Sequence, residues 1–579
     1  MSAVFLAAFY SQARVQTFGS SDVREKASKA MSLIVTSTEP AVRGQILTSD
    51  GKVLARDEGA YQLNIDFDSV PSSDAFFLDV SKASGVSGAE IIEFSRGEKR
   101  KRTWPQMLTS EQKRKVDEVK SRWRADGISC SGTGQRSYPM SWLTSSVVGL
   151  LGTEETSKGI EAKYQSVIAG KPGVSKGMRD RTGAFLPMRM EEGSVKRVDG
   201  SDIVLTLDSD LQRAAAESIR RAVEANKAQS GVAVILDPKT GDVLAMANWP
   251  TFDPSTRQGP SGEGSDLNQN VQARFEPGST MKILTLAKAL DAGAVTAGWT
   301  GQCSGSLVIG PYRVSCAYHN GSNAHGSVDL EKAIAQSCNV SAASWAVKVG
   351  YDDFRKFIDD IELLKVPNVG LPSEIRGEIS NEPVAKTHDL MCWGFGQSMG
   401  VTPLALAGAF TALGNGGLEM KPRLIKSIGG KGNPISAGKR IFRPETAERV
   451  QEYMEQVISS SHGTGKALRI PGYRLGGKTG TAERIGRVGG GYVSNFVGFV
   501  PAIEPKAVVL VMIDRPTGPK HFGGEVAGPV FLELARSLIA KYNLPPASGT
   551  NTEVKVQAAP SVEVEVRPSN TKPATGRRP

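Results

Sequence analysis

Hydrophobic and polar positions change rhythm along this chain. From about residue 19 to residue 198, strand-like pieces such as GQILTSDGKVLARDEGAYQLNID alternate with charged helical stretches such as Ser110 to Ala125. No single long core pattern runs through that part. From about Asp202 to Asn543 the apolar signal is denser, and the short unbroken runs GVAVILDP, DVLAMAN, FVGFVP and AVVLVMID read as buried strands. Segments of helical period lie between and after them, at Leu211–Ala228, Thr280–Ala292 and Pro529–Tyr542. About 340 residues of this character predict one mixed α/β domain. After Leu544 the chain turns to Pro, Ser, Thr, Val and charge, which predicts disorder, although Val562 to Val566 alternates like a lone strand. The apolar run from Ala3 to Tyr10 is too short to cross a bilayer, which takes about 20 residues. It is expected to be the rear of a membrane anchor, with a buried N-terminal element as the alternative. The expected division is 1–18 anchor remnant, 19–198 N-terminal domain, 199–545 larger α/β domain and 546–579 tail.

Composition narrows the function classes. Of 579 residues, 39% are hydrophobic and 22% charged, so the bulk of the chain can build a core. A net charge of +10 suits an anionic envelope polymer as well as a nucleic acid. The basic run Arg96–Arg102 has no interleaved aromatics and no nucleic-acid motif beside it, so it reads as a solvated face. Five cysteines exclude a disulfide-built scaffold. With no C-x-x-C, no H-E-x-x-H and five scattered histidines, no zinc site is expected. Cys303 and Cys316 flank the strand-like SLVIGPYRVS, and two readings stand: packed free thiols, or a hairpin disulfide that needs an oxidising compartment.

The chemistry lies in three short motifs in fixed order: S-x-x-K at Ser279–Lys282, S-x-N at Ser337–Asn339 and K-T-G-T at Lys478–Thr481. Ser279 follows Pro277-Gly278 and opens a run with apolar residues at helical spacing. That places it in a first helical turn, where unpaired amides favour developing negative charge. Lys282, three residues on, shares its face and can act as base once desolvated. Ser337 and Asn339 follow a short helical pattern and offer a hydroxyl for proton relay and an amide for substrate. Lys478 sits on an expected edge strand, ready for a substrate carboxylate. The N–H of Thr481 can join that of Ser279 as an oxyanion hole. Other matches lack this context. Ser49, Ser110, Ser436 and Ser569 open S-x-x-K in polar or charged surroundings, and Lys239-Thr240-Gly241 reads as a hairpin turn.

In these motifs the chain resembles the penicillin-binding proteins, specifically the monofunctional class B peptidoglycan transpeptidases. RFEPGSTMK, VLTLDSDLQ, FGQSMGVTPLALAGAFTALGNGG and HFGGEVAGPVF are similar to family segments, and Arg43-Gly44-Gln45-Ile46 resembles the opening of the family's pedestal. The resemblance implies a transpeptidase fold, an antiparallel sheet covered by helices, on an elongated α+β pedestal. It implies Ser279 as acylated nucleophile, Lys282 as general base, and Ser337 and Asn339 in proton relay and positioning. Lys478, Thr479, Gly480 and Thr481 would line the carboxylate site. Peptidoglycan stem peptides and β-lactams are the implied ligands, with no cofactor and no nucleic acid. A SEDS-type glycan polymerase and other division proteins are the implied partners. The implied location is the cell inner membrane, single-pass, with the catalytic domain outside the cytoplasm. Asn339 and Thr479 lean toward the division-type members. Thr48-Ser49 stands where the family usually carries Asp-Arg, which questions pedestal contacts. A D,D-carboxypeptidase or β-lactam hydrolase using the same serine, and a non-catalytic division scaffold, are the rival readings.

Overall fold

The computed structural model describes residues 34–39, 41–98, 100–153, 156–179, 185–187, 195–256, 266–316, 322–379, 385–483 and 490–547. The Ala3–Tyr10 run, the Val562–Val566 alternation and the tail from residue 548 lie outside the described residues. Among the described residues no helix is long and apolar enough to cross a membrane.

The unbroken apolar runs form the centre of the molecule. Strands β1 (Ser230–Leu236), β2 (Val243–Trp249), β3 (Gly476–Glu483), β4 (Tyr492–Val500) and β5 (Ala507–Asp514) make an antiparallel sheet of five, in the order β2-β1-β5-β4-β3. Every residue of β1 and β5 is buried, which explains why they lack polar alternation. Side chains one residue apart on a strand leave on opposite faces, and so do those three apart. Phe496 packs on Phe531 with ring centroids 4.6 Å apart, and Phe499 meets Phe410 at 6.3 Å, so helices cover both faces.

Helix α1 (Ser209–Ala225) packs on β1 and β2, capped by the Asp208 carboxylate, which accepts from the N–H groups of Asp210 and Leu211. Helices α2 (Met281–Asp291), α3 (Asn339–Val349) and α4 (Pro403–Gly414) belong to the same large core. All 12 residues of α4 are buried, as an apolar-all-round helix requires. Helix α5 (Gly528–Lys541) lies against α1, β4 and β5. The Lys239–Gly241 match is the hairpin turn between β1 and β2, with Gly241 at φ 76°.

The N-terminal region is joined to this core through a second sheet. Ile46–Leu47, Val53–Asp66, Lys101–Leu108 and Ile128–Ser137 share seven strands with Ile203–Leu205, Ile425–Ile428 and Lys431–Gly432. Beyond that junction a small separate core, with Leu63, Phe67, Phe76, Trp104 and Ile128, sits under helices Asp74–Ser84, Gly88–Ser95 and Ser110–Trp123. Thr48 and Ser49 make contacts of their own at this junction. Thr48 Oγ1 accepts from the Lys52 N–H at 2.9 Å, and the Ser49 N–H and hydroxyl both donate to the Leu207 carbonyl, at 2.8 and 3.0 Å. Nearby, Glu161 is fully buried between two arginines: it pairs with Arg43, and it accepts from Arg136 Nε at 2.6 Å. Arg136 reaches on to Asp57 at 3.0 Å.

Candidate active site

Ser279 lies in the single 3₁₀ turn Gly278–Thr280 that leads into α2. The turn is wedged tightly. A Cβ on Gly278 would stand 3.3 Å from the Thr481 carbonyl oxygen, and one on Gly396 would stand 2.2 Å from the Gly278 carbonyl oxygen. Gly278 adopts φ 54° and Gly396 φ 79°, so glycine serves both the backbone angle and the close approach. The turn carrying Ser279 therefore abuts edge strand β3 at Thr481, where two backbone N–H donors are expected to converge.

Lys282 points from α2 into the interior and is 1% exposed. Its Nζ donates to the Ser337 carbonyl oxygen at 2.6 Å and to Ser337 Oγ at 3.0 Å. Lys478, on β3, is also fully buried, and its Nζ donates to the same Ser337 Oγ at 3.0 Å and to the Thr479 carbonyl at 3.0 Å. One hydroxyl thus sits between two amines. Burial depresses the Lys282 amine to about 8. Burial, reinforced by the nearby Lys282 charge, pushes Lys478 well below the ordinary lysine range.

Ser337 holds φ 59°, an uncommon conformation for a residue with a side chain, at the turn between helix Leu330–Ala335 and α3. Asn339 opens α3 and donates from Nδ2 to the Ser315 carbonyl at 2.8 Å, which fixes the amide's orientation. On β3, Thr479 Oγ1 donates to Thr464 Oγ1 at 3.0 Å, and Thr481 Oγ1 accepts from the Gly523 N–H at 3.0 Å. A Cβ on Gly480 would meet Asn495 Oδ1 at 2.2 Å, so the strand bears directly on β4 there.

The structure brings Lys282, Ser337 and Lys478 into direct contact and sets Ser279 and Thr481 on adjoining segments. Asn339 lies next to Ser337 in the same turn. Sequence reasoning missed Thr464, Asn495, Gly396 and the backbone of Gly523, which support the motifs from elsewhere in the fold. Asn495 Nδ2 donates to the Pro277 carbonyl at 3.3 Å, tying β4 to the turn before Ser279. Gly396 and Gly523 lie in segments similar to the family, FGQSMG and HFGGEV, that carried no role for them, and Thr464 and Asn495 lie in no motif, so spacing gave no signal for those two.

Comparison with known proteins gives two family matches. The penicillin binding protein transpeptidase domain matches residues 231–536, and the penicillin-binding protein dimerisation domain matches residues 38–205. The chain is 31% identical over 406 residues to the "Probable peptidoglycan D,D-transpeptidase PenA" of Neisseria meningitidis, covering 69% of this chain and 67% of that protein. It is 29% identical over 455 residues to stage V sporulation protein D of Bacillus subtilis, covering 76% and 69%. Among solved structures, penicillin binding protein 3 from Mycobacterium tuberculosis, complexed with ampicillin, aligns at a TM-score of 0.66 and 25% identity, covering 90% of this chain and 100% of that one. Penicillin binding protein 2X from Streptococcus thermophilus aligns at 0.72 and 21% identity, covering 88% and 81%, a likeness of fold.

Proposed function

The chain belongs to the class B penicillin-binding proteins and is a peptidoglycan D,D-transpeptidase; we propose that it works through an acyl ester on Ser279. The observation that carries this reading is the pair of buried amines on one hydroxyl, Lys282 and Lys478 about Ser337 Oγ, beside the turn that holds Ser279. An amine depressed to about 8 is neutral in a useful fraction near neutral pH and can take the Ser279 proton as its oxygen attacks.

The electrophile is the carbonyl of the D-Ala-D-Ala bond at the end of a stem peptide. Its developing oxyanion is received by the backbone N–H groups of Ser279 and Thr481. Ser337, bridging the two lysines, passes a proton to the leaving D-Ala amine. The Thr481 hydroxyl oxygen already accepts from Gly523, so its single O–H remains for the terminal carboxylate. The positive field of Lys478 completes that carboxylate site, lined by Thr479, whose O–H is given to Thr464, with Gly480 keeping the strand close to β4. Asn339 has its Nδ2 engaged and offers its carbonyl oxygen to a stem-peptide N–H. An acceptor amine from a neighbouring stem then attacks the ester and releases Ser279. A β-lactam takes the donor's place and leaves a slowly hydrolysed ester on the same serine.

Beyond the reaction, we assign the chain to septal wall synthesis, from Asn339 in S-x-N and Thr479 in K-T-G. We further propose a pedestal up to about residue 198, an anchor at the N-terminus in the inner membrane, and a glycan polymerase docked on the pedestal. Deleting residues 1–198 should abolish co-purification with that polymerase; unchanged co-purification would end the docking proposal. To separate transpeptidation from hydrolysis, a D-Ala-D-Ala stem peptide is incubated with the protein and a labelled D-amino acid acceptor. Label in the peptide supports the reading, whereas exclusive release of the shortened peptide would make the protein a carboxypeptidase.

A further inference from the structure

Four soft side chains without a part in the acylation chemistry meet beside the Ser337–Asn339 turn. Cys303 ends strand Thr300–Cys303, and Cys316 follows hairpin strand Tyr312–Ser315. His325 precedes strand Gly326–Asp329, and Cys338 is the middle residue of the turn itself. Their ligand atoms all lie within 4.8 Å of one another. Cys303 Sγ is 3.7 Å from Cys316 Sγ and 3.3 Å from His325 Nδ1, and Cys316 Sγ is 3.7 Å from Cys338 Sγ. All three thiols are buried.

These separations discriminate between explanations. A disulfide has sulfurs about 2.05 Å apart and consumes two of them, leaving the third thiol and the imidazole unaccounted for. A tetrahedral zinc ion with Zn–S about 2.3 Å and Zn–N about 2.0–2.1 Å has edges of about 3.8 Å between sulfurs and about 3.5 Å from sulfur to nitrogen. The three measured separations fall close to those edges. Thiolates and imidazole favour zinc over the oxygen-seeking magnesium, calcium and manganese, and four protein ligands close the coordination shell.

We propose that Cys303, Cys316, His325 and Cys338 form a tetrahedral site for Zn(II) that holds the Ser337–Asn339 turn in place. Binding releases the three thiol protons to solvent and leaves thiolates on the metal. The ion joins two antiparallel strand pairs to the start of α3. Cys338 takes the capping position of α3, its sulfur accepting from the Ser341 N–H at 3.4 Å. Asn339 is tied to Ser315, the neighbour of Cys316. The metal therefore braces the turn of the strained Ser337 directly through Cys338 and, by way of Cys316 and Ser315, through Asn339. The ligands lie 13, 9 and 13 residues apart, brought together by the strand pairs, so the absence of C-x-x-C did not reveal them. The site departs from the expectation of no zinc site; of the two readings of Cys303 and Cys316, the structure has packed free thiols, 3.7 Å apart, and no disulfide between them.

The site stands independently of the acylation chemistry, while its effect on Ser337 rests on the proposed role of that residue. The test uses the whole chain, purified without added chelator, with metal content measured by elemental mass spectrometry and the zinc then exchanged for Co(II). One zinc per chain is expected. The cobalt form should show thiolate-to-metal charge-transfer absorption with tetrahedral d–d bands, weakened in Cys316→Ser and retained in Cys130→Ser. Removing the zinc should slow β-lactam acylation about tenfold, with recovery on adding zinc back. Less than half an equivalent of metal and a cobalt spectrum without thiolate bands would overturn the site, as would a Cys303–Cys316 disulfide in the non-reduced peptide map. If Cys316→Ser fails to fold, the wild-type cobalt spectrum still decides. Unchanged acylation after zinc removal would overturn the positioning role, whereas a zinc-loaded protein that never acylates would count against the reading of Ser279 instead.

Discussion

Two buried clusters of charged side chains are treated in opposite ways. At the pedestal junction, Glu161 lies between Arg43 and Arg136, and Arg136 also meets Asp57, so every buried charge named there faces one of opposite sign. At the active site, Lys282 and Lys478 share one hydroxyl oxygen, and their hydrogen bonds go to neutral oxygens of Ser337 and Thr479. Both clusters lose hydration. The first recovers it through Coulomb attraction and holds the fold together. In the second, burial lowers the affinity of both amines for protons, and at Lys478 the charge of Lys282 adds to it, as the proposed base role of Lys282 requires. A buried charge is thus held by its partner in the first cluster and left with neutral partners, open to proton transfer, in the second.

Removing one member from each cluster separates these roles most sharply. Lys282→Ala should lower the β-lactam acylation rate roughly 10²–10⁴-fold, the range for a general base, while the melting temperature holds or rises. A matching loss of stability would make Lys282 structural. Glu161→Gln should do the reverse. Breaking a buried pair costs about 3–5 kcal/mol, so the melting temperature falls while the acylation rate of the folded protein at 25 °C stays within about twofold. Equal effects on both readouts would dissolve the contrast.

Acidity sharpens the comparison further. Because Lys282 must be neutral to accept a proton, the acylation rate should climb about tenfold per unit as pH rises toward about 8 and level off above it. A flat profile between pH 6 and 8 would remove the base assignment. A third buried charge gives a stability counterpart. Burial first, then Glu362, pushes the Glu419 carboxyl up to about 8. Its folded form holds the proton more tightly than the unfolded chain, so its contribution is fully present below about 4.5 and is lost as pH rises toward about 8. Glu419→Gln should therefore raise the melting temperature at pH 8 and change it little at pH 4.5. The smallest effect belongs to the solvated head, where Arg114 pairs with Glu111 and Glu118 on an exposed helix face. Arg114→Ala should leave both melting temperature and acylation within experimental error.

The grouping of the three candidate motifs was legible because chain order and local context singled them out from at least five decoys, and the structure brings Lys282, Ser337 and Lys478 into contact. The central strands were legible because burial on both faces leaves no polar alternation, as in β1 and β5. What was not legible depends on contacts between distant segments. Lys478 was expected to face the substrate carboxylate, and the structure turns its amine onto Ser337 Oγ, a choice set by how α2, the turn and β3 meet. Glu161 lies 118 residues from Arg43, and no periodicity joins them. Cys303, Cys316, His325 and Cys338 near Ser337 are likewise gathered by strand pairing rather than by spacing.

The central claim is that Ser279 carries the acyl group, and intact-protein mass after exposure to benzylpenicillin tests it most directly. The account predicts a persistent increase of one drug mass in the wild-type protein, lost in Ser279→Ala. An adduct of the same mass persisting in Ser279→Ala, or none in a well-folded wild type, would contradict it.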